Sequence, residues 1–316
     1  MDHDVRELAA LLSAGKAYIQ THDFPDPDAI ASAYGLQQLL SRKYGVHAGL
    51  CYEGRVDRLC ASHLSDALGI TLRPYEAVKQ DMGARDPICY VDVQRHGANV
   101  TDLIGDEVAC VDHHPVRDRC DYAWSDLRIC GACSSIIAEY WQASGEVPDQ
   151  AVATALLYGI KSDTANFTRG VDMLDIRMFA YLHPLADGEL LTVLEHSSIE
   201  FTDLRAYGAA IENIELYGRN GFAHIPFACP DGLVAAVSDF ILSLAEVDVA
   251  VVTSDRPDGV RISARSADAD VHAGDLLGTA LKGVGSGGGH AAMGGGFAPG
   301  LNHELVRNLI LAGLDV

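Results

Sequence analysis

The chain has 316 residues, 48% apolar and 21% charged, the makeup of a globular protein with length for roughly two domains of about 150 residues, which excludes disorder, collagen-like structure and a coiled-coil rod. Asp plus Glu number 44 against 23 Lys plus Arg, a net charge of −21, which excludes a broad grip on long duplex DNA or on an anionic lipid surface. Small anionic substrates stay open where a local cation, a bound divalent metal above all, offsets that field.

In chain order, Ala17 to Thr21 reads as a short strand and Asp28 to Lys43 as a helix, with Ile30, Ala33, Tyr34 and Leu40 near one face. Val46 to Tyr52, Ile88 to Val93 and Val108 to Asp112 are strand-like, the last two apolar runs closing at or near an acid. Such runs suit strands buried on both faces of a parallel sheet. Helices follow over Ser134 to Ser144 and Asp149 to Lys161, so the expected fold class is α/β, a mainly parallel sheet flanked by helices. Leu204, Tyr207, Ile211 and Ile214 recur at helical spacing and predict one amphipathic helix from Asp203 to Tyr217. Beyond it, Phe222 to Phe227, Val247 to Thr253 and Val260 to Arg265 read as strands, the last two flanking the turn sequence Asp255-Arg256-Pro257-Asp258-Gly259. Two helices, near His272 to Leu281 and His303 to Leu311, bracket a glycine-rich segment and complete a second, smaller α/β unit. The expected domains are 1–195, a helical linker over 196–220, and 221–316.

No uncharged apolar stretch approaches the ~18 residues of a membrane span. The start, Met1-Asp2-His3-Asp4-Val5-Arg6-Glu7, is acidic where a secretory leader would be basic, so a cytoplasmic chain is expected. Cys130 and Cys133 form a lone C-x-x-C with no second pair at zinc-ribbon spacing, and are read as reduced structural thiols.

Four clusters carry metal-competent side chains. His22, Asp26 and Asp28 stand in Thr21-His22-Asp23-Phe24-Pro25-Asp26-Pro27-Asp28, between a strand and a helix, where two prolines hold the backbone out of regular helix. Asp92 lies in the otherwise apolar Tyr90-Val91-Asp92-Val93. Asp112-His113-His114 closes another apolar strand, and Ser162-Asp163-Thr164 ends a helix pattern. Singly each has an ordinary reading: Asp28 as a helix cap, Asp92 as a turn residue, the histidines as solvated, Asp163 as a loop acid. Jointly they place acids and imidazoles beyond the carboxyl ends of strands, where open α/β sheets bind ligands. Several carboxylates converging there would repel one another unless a cation lay among them. Mixed imidazole and carboxylate donors favour a Mn²⁺, Zn²⁺, Fe²⁺ or Co²⁺ ion over Ca²⁺, and the number of donors suits a pair of ions.

These elements, in this order, resemble the DHH phosphoesterase superfamily: H-x-x-x-D-x-D at His22, Asp26 and Asp28, V-D at Asp92, the Asp112-His113-His114 triplet and the Ser162-Asp163-Thr164 element. Ser286-Gly287-Gly288-Gly289-His290 is similar to the glycine-rich motif of the DHH-associated domain, with Ser286 in place of the commonest leading glycine and Met293 where a small residue is usual. The resemblance implies that His22, Asp26 and Asp92 ligate one metal, and that Asp28, Asp92, His113 and Asp163 ligate the other, Asp92 bridging. It implies that Asp112 orients imidazoles from behind and that His114 donates to the substrate phosphate or leaving oxygen. Mn²⁺ is the ion it suggests, two per chain, with Mg²⁺ or Co²⁺ as substitutes. Arg265, Ser266, Gly287, Gly288, Gly289 and His290 are the implied substrate-binding residues.

Length and domain pairing resemble the nanoRNase and pAp-phosphatase (RecJ-like) group, which implies hydrolysis of dinucleotides and very short RNAs to 5′-mononucleotides, and removal of the 3′-phosphate of 3′-phosphoadenosine 5′-phosphate. The absence of an aromatic and basic stacking platform and the −21 charge agree with a very short substrate. The competing readings are a phosphodiesterase for cyclic dinucleotides or linear pApA and pGpG, an inorganic pyrophosphatase, and an inactive nucleotide sensor. The partner expected is thus a short RNA or small nucleotide, with neither long duplex DNA nor membrane; a homodimer is left open.

Overall fold

Apolar runs closed by an acid become the inner strands of a parallel sheet. A computed structural model describes residues 4–54, 56, 63–97, 99–116, 120–196, 199–289 and 291–314, which divide into two compact units between 198 and 199. The first unit runs α1 (Val5–Leu12), β1 (Tyr18–Gln20), α2 (Pro27–Tyr44), β2 (Gly49–Tyr52), α3 (His63–Leu68), β3 (Leu72–Pro74), α4 (Tyr75–Val78), β4 (Pro87–Val91), β5 (Asp106–Asp112), β6 (Trp124–Leu127), α5 (Cys133–Ser144), α6 (Gln150–Asp163), α7 (Met173–Leu182) and α8 (Gly188–His196). Its six strands are all parallel, in the order β3-β2-β1-β4-β5-β6.

That order reverses direction between β1 and β4, and a crevice opens at such a switch point beyond the carboxyl ends of the strands. Strand residues alternate between two cores. Ile19, Cys89, Val91, Ala109 and Val111 face a core shared with α2, α5 and α6, whereas Tyr18, Ile88, Tyr90 and Cys110 face one closed by Val78, Met82 and Leu103. Burial on both faces explains why these strands read as continuous apolar runs.

Helix α2 begins where the prolines direct. Asp26 is its N-cap and accepts the Ala29 amide at 3.0 Å, Pro27 takes the first helical position, and Gly45 ends the helix with φ +68°. Asp28 therefore does not cap its own helix.

The second unit holds a 3₁₀ turn (Phe201–Asp203), α9 (Leu204–Glu212), β7 (Glu215–Tyr217), β8 (Asn220–Ile225), α10 (Asp231–Leu242), β9 (Val249–Arg256), β10 (Gly259–Ser266), α11 (Ala273–Ala280), β11 (Ser286–Gly289), β12 (Met293–Pro299) and α12 (His303–Gly313). Its sheet is mixed, ordered β11-β12-β10-β9-β8-β7, with β8 and β9 parallel and the other neighbours antiparallel. The fold is thus α/β in both units, a parallel sheet flanked by helices and a smaller mixed-sheet unit.

One expectation changes. The helix from Asp203 to Tyr217 stops at Glu212, and Glu215–Tyr217 instead pairs with β8. Its inward face is Ala206 and Ala210, while Leu204 and Ile211 are exposed, so small residues chosen for close approach outweigh the apolar stripe. The glycine-rich segment, to which the sequence reading assigned no element, is partly strand: Ser286–Gly289 form β11, antiparallel to β12. No helix among the described residues is long and apolar enough to cross a membrane.

Candidate active site

His22 follows β1, Asp92 follows β4, and Asp112 and His113 close β5, so three strand ends at and beside the switch point aim side chains into one space. Asp26 and Asp28 enter from the start of α2, and Asp163 from the last residue of α6. The structure brings them together in linked groups. His22, Asp26 and Asp92 offer donor atoms within 4.8 Å of one another, as do Asp28, His113 and Asp163, and as do Asp92, Asp112, His113 and His114.

Asp92 joins the groups through different oxygens. Its Oδ2 lies 3.8 Å from His22 Nε2, and its Oδ1 lies 3.2 Å from His113 Nε2. His113 Nε2 also stands 3.3 Å from Asp163 Oδ2, and His22 Nε2 stands 3.9 Å from Asp26 Oδ2. Asp92 is 3% exposed, and its Oδ1 has no hydrogen-bond partner. Its backbone has φ +62°, a left-handed conformation that is strained for a side-chain-bearing residue and that aspartate tolerates better than most. The turn after Asp163 carries a similar strain, with positive φ at Ala165, Asn166 and Phe167.

Hydrogen bonds from behind fix Asp28, Asp112, His113 and His114. Asp28 is received by the amino end of α5, where the Cys133 amide donates at 2.7 Å and the Ser134 amide at 2.9 Å. His113 Nδ1 lies 3.0 Å from the Cys130 carbonyl, which leaves Nε2 facing the carboxylates. Asp112 accepts the His113 amide and holds His114 Nδ1 at 2.7 Å, while Gln94 Nε2 donates to its other oxygen at 2.7 Å. Asp112 thus orients the His114 imidazole, whereas the ring of His113 is set by a backbone carbonyl.

Electrostatics show how crowded the acids are. Burial, then the charges of Asp28 and Asp26, push Asp92 well above the usual carboxylate range against the pull of His113. Burial and the same two acids raise Asp163 to about 7. Burial opposes charge on His113, yet Asp92, Asp163 and Asp28 outweigh it and raise its pKa well above the usual histidine value. Burial also opposes ionisation of Asp26, but His22 and the Ala29 amide bring it down to about 2. Without a cation the cluster retains protons. An orphaned buried carboxylate oxygen and a mixed Asp and His donor set fit divalent ions well.

Sequence reasoning missed Gln94, the Cys130 carbonyl and the α5 amides, because backbone donors and a lone Gln leave no spacing pattern. Cys130 and Cys133 are buried free thiols whose sulfurs bond backbone carbonyls, as structural thiols do.

The implied substrate residues lie in the second unit. Arg265 is 9% exposed and held by Asp239, with Nε to Oδ1 at 2.6 Å, and Ser266 Oγ donates to the Asp268 carbonyl. A Cβ on Gly287 would strike the Leu277 carbonyl, so that glycine serves the packing of α11 on β11, whereas Gly288 faces open space. Gly289 has φ +140°. His290 lies outside the described residues.

Comparison with known proteins agrees with this architecture. Residues 16–160 match the DHH family N-terminal domain, and residues 221–310 match the DHHA1 domain. An uncharacterised protein of Methanocaldococcus jannaschii is 30% identical over 269 residues, 84% of this chain and 55% of that protein. A probable manganese-dependent inorganic pyrophosphatase of Streptococcus suis is 32% identical over 147 residues, 45% of this chain and 46% of that enzyme. The chain thus spans about half the length of these curated relatives. An exopolyphosphatase-related protein of Bacteroides fragilis shares the fold, with a TM-score of 0.82 and 17% identity over 98% of this chain and 95% of its own.

Fold and donor clusters together define the class of DHH-family phosphoesterases, with acids and imidazoles placed where they could hold divalent metal. The chain belongs to the DHH phosphoesterase superfamily, with its DHHA1 domain following the DHH domain.

Proposed function

We propose that the chain is a two-metal phosphoesterase that cuts dinucleotides and RNAs of a few residues to 5′-mononucleotides, and that also removes the 3′-phosphate of 3′-phosphoadenosine 5′-phosphate. The observation that carries this reading is the division of Asp92's two oxygens between the His22 and the His113 sides of the site. In it, His22, Asp26 and Asp92 hold one ion, and Asp28, Asp92, His113 and Asp163 hold the other. Mn²⁺ is the proposed ion, in keeping with the streptococcal relative, and Mg²⁺ or Co²⁺ are substitutes. Bound divalent ions would supply positive charge for the phosphoryl oxygens and acidify the attacking water.

The chain's own residues do the rest. Asp112 fixes His114 through Nδ1, so that Nε2 delivers a proton to the leaving oxygen or a hydrogen bond to the phosphoryl group. Arg265, Ser266, Gly287, Gly288, Gly289 and His290 bind the anionic end of the substrate, Arg265 after exchange of its Asp239 partner. The net charge of −21 repels long polyanions, and so favours substrates small enough for these few groups to neutralise.

A Mn²⁺-supplemented digestion of 5′-labelled RNAs from about two to ten nucleotides, run beside pAp, cyclic dinucleotides and pyrophosphate, tests this reading; those lengths bracket a site without a stacking platform. Fastest turnover of the shortest linear RNAs is expected. Preference for a cyclic dinucleotide would overturn the substrate assignment. The similarity to the streptococcal enzyme makes inorganic pyrophosphate the second candidate, and its preferential hydrolysis would decide for that activity. Nucleotide binding without turnover would leave a sensor.

A further inference from the structure

One short segment, Cys130 to Ser134, supports three of the clustered side chains. The Cys130 carbonyl faces His113 Nδ1 at 3.0 Å, and the Cys133 and Ser134 amides donate to the two oxygens of Asp28. Between these contacts Gly131 packs on the turn that follows Asp163: a Cβ there would lie 2.6 Å from the Thr164 methyl. Thr164 is fully buried, and its Oγ1 accepts the Phe167 amide, which ties off that turn. Asp28, His113 and Asp163 are one of the groups whose donor atoms lie within 4.8 Å of one another. The segment bonds to the first two and packs beside the third.

Its own sequence does little to hold it. Ala132 is the N-cap of α5, and alanine has no side-chain oxygen to receive the first amides of a helix. Two carboxylates from distant parts of the chain act in its place. Asp28, from α2, takes the Cys133 and Ser134 amides. Asp175, from α7, takes the Gly131 amide through Oδ2 at 2.8 Å and the Ser135 hydroxyl through Oδ1 at 2.5 Å. Its two grips fall just before and just after the stretch that carries the Asp28 donors.

Asp175 is fully buried. Its Oδ2 also accepts the Asp172 amide at 2.7 Å, the returning half of a capping box at the start of α7. A capping box by itself needs neither burial nor donors from a segment about forty residues upstream. Burying a carboxylate is costly unless its oxygens are satisfied, and here two of its three donors come from that segment and the first turn of α5. Gly131 admits the close approach, because a Cβ there would stand 2.6 Å from Asp175 Oδ2.

We propose that Asp175 is a positioning residue for the ion on the Asp28, His113 and Asp163 side of the site. By anchoring Gly131 and Ser135 it keeps the Cys130 carbonyl on His113 Nδ1, so that Nε2 faces the carboxylates, and keeps the α5 amides on Asp28. The proposal rests on the two-ion reading above and assigns Asp175 to one ion of the pair. Partners that orient metal ligands in this way are worth about 10–100-fold in metal affinity.

Mn²⁺ binding to full-length, metal-stripped protein is measured by titration calorimetry, with circular dichroism checking the fold of each variant. In Asp175→Asn one binding step is expected to weaken by about 10–100-fold while the other keeps its affinity. Asp172→Ala removes the N-cap side chain of the same helix and leaves the Gly131 and Ser135 bonds in place. It is expected to melt lower than wild type yet bind both ions as tightly. Ser135→Ala deletes one donor to Asp175 with little change of volume, is expected to weaken the same step by a smaller factor, and keeps the test decisive should Asp175→Asn fail to fold. Wild-type affinity for both ions in folded Asp175→Asn, or in Ser135→Ala where Asp175→Asn does not fold, overturns the proposal. An equal loss in Asp172→Ala overturns it as well, because the effect would then belong to α7 as a whole. A wild type that binds fewer than two Mn²⁺ ions overturns the two-ion reading itself, and the proposal with it.

Discussion

Asp92→Asn separates the cost of the acid cluster from its use. The side chain is 3% exposed, and an oxygen of Asp26 lies within 4.8 Å of one of its own. Ionising both carboxylates at that separation would cost about 3.5 kcal/mol at an effective dielectric of about 20, so the metal-free protein keeps a proton there instead, itself a cost near neutral pH. His22 and His113 offset part of this, leaving a net relief of about 1–3 kcal/mol in the metal-free protein. Asparagine tolerates the left-handed backbone at this position nearly as well as aspartate, so no backbone strain is added. Metal-free Asp92→Asn should therefore melt higher than wild type by about 2–10 °C. With divalent ion the order reverses: at about 100 times Kd the wild type gains ~2.7 kcal/mol per site, and the variant, without its bridging carboxylate, gains far less and loses activity. Scanning fluorimetry in EDTA and in Mn²⁺, paired with phosphoester hydrolysis, reads both effects. A variant that melts lower in EDTA, or that gains as much from Mn²⁺ as wild type, would refute the reasoning.

Asp163, raised to about 7 from 3.8, binds its proton more tightly folded than unfolded, so metal-free stability should fall as pH rises through that window. Metal affinity should rise over the same range with release of protons, which calorimetry in buffers of different ionisation enthalpy would detect. Gly159→Ala should place a methyl against Ser134 Oγ and 3.0 Å from Asp28 Oδ1, costing about 1–3 kcal/mol and most of the activity; wild-type melting and turnover would count against the packing seen there. Asp112→Asn should lower kcat about 10–100-fold with metal content kept, since Asp112 acts through His114; loss of metal instead would move it into the ligand set. His290→Ala should raise KM while sparing metal binding, and a variant stripped of metal would refute the division of labour between the two units.

The sequence by itself determined the kind of chemistry and the register of its parts. Two prolines and three acids after a strand, apolar runs ending in Asp92 and Asp112, and an acid at a helix end are local patterns, so they fix where a metal-competent side chain meets the end of an element. Most of the first sheet was legible for the same reason: strands buried on both faces must be continuous apolar runs. Tertiary structure decided the rest. Only the reversal of strand order between β1 and β4 brings His22 and Asp92, seventy residues apart, to within 3.8 Å. Only packing shows that Asp28 is held by amides of α5, that His113 answers to a backbone carbonyl while Asp112 serves His114, and that Gly287 makes room for α11. The helix expected through Tyr217 stops at Glu212 because Glu215–Tyr217 pair with β8, a long-range partner that the local period does not announce. Side-chain period reports which residues are inside; long-range pairing and backbone donors, which leave no period, report what they touch.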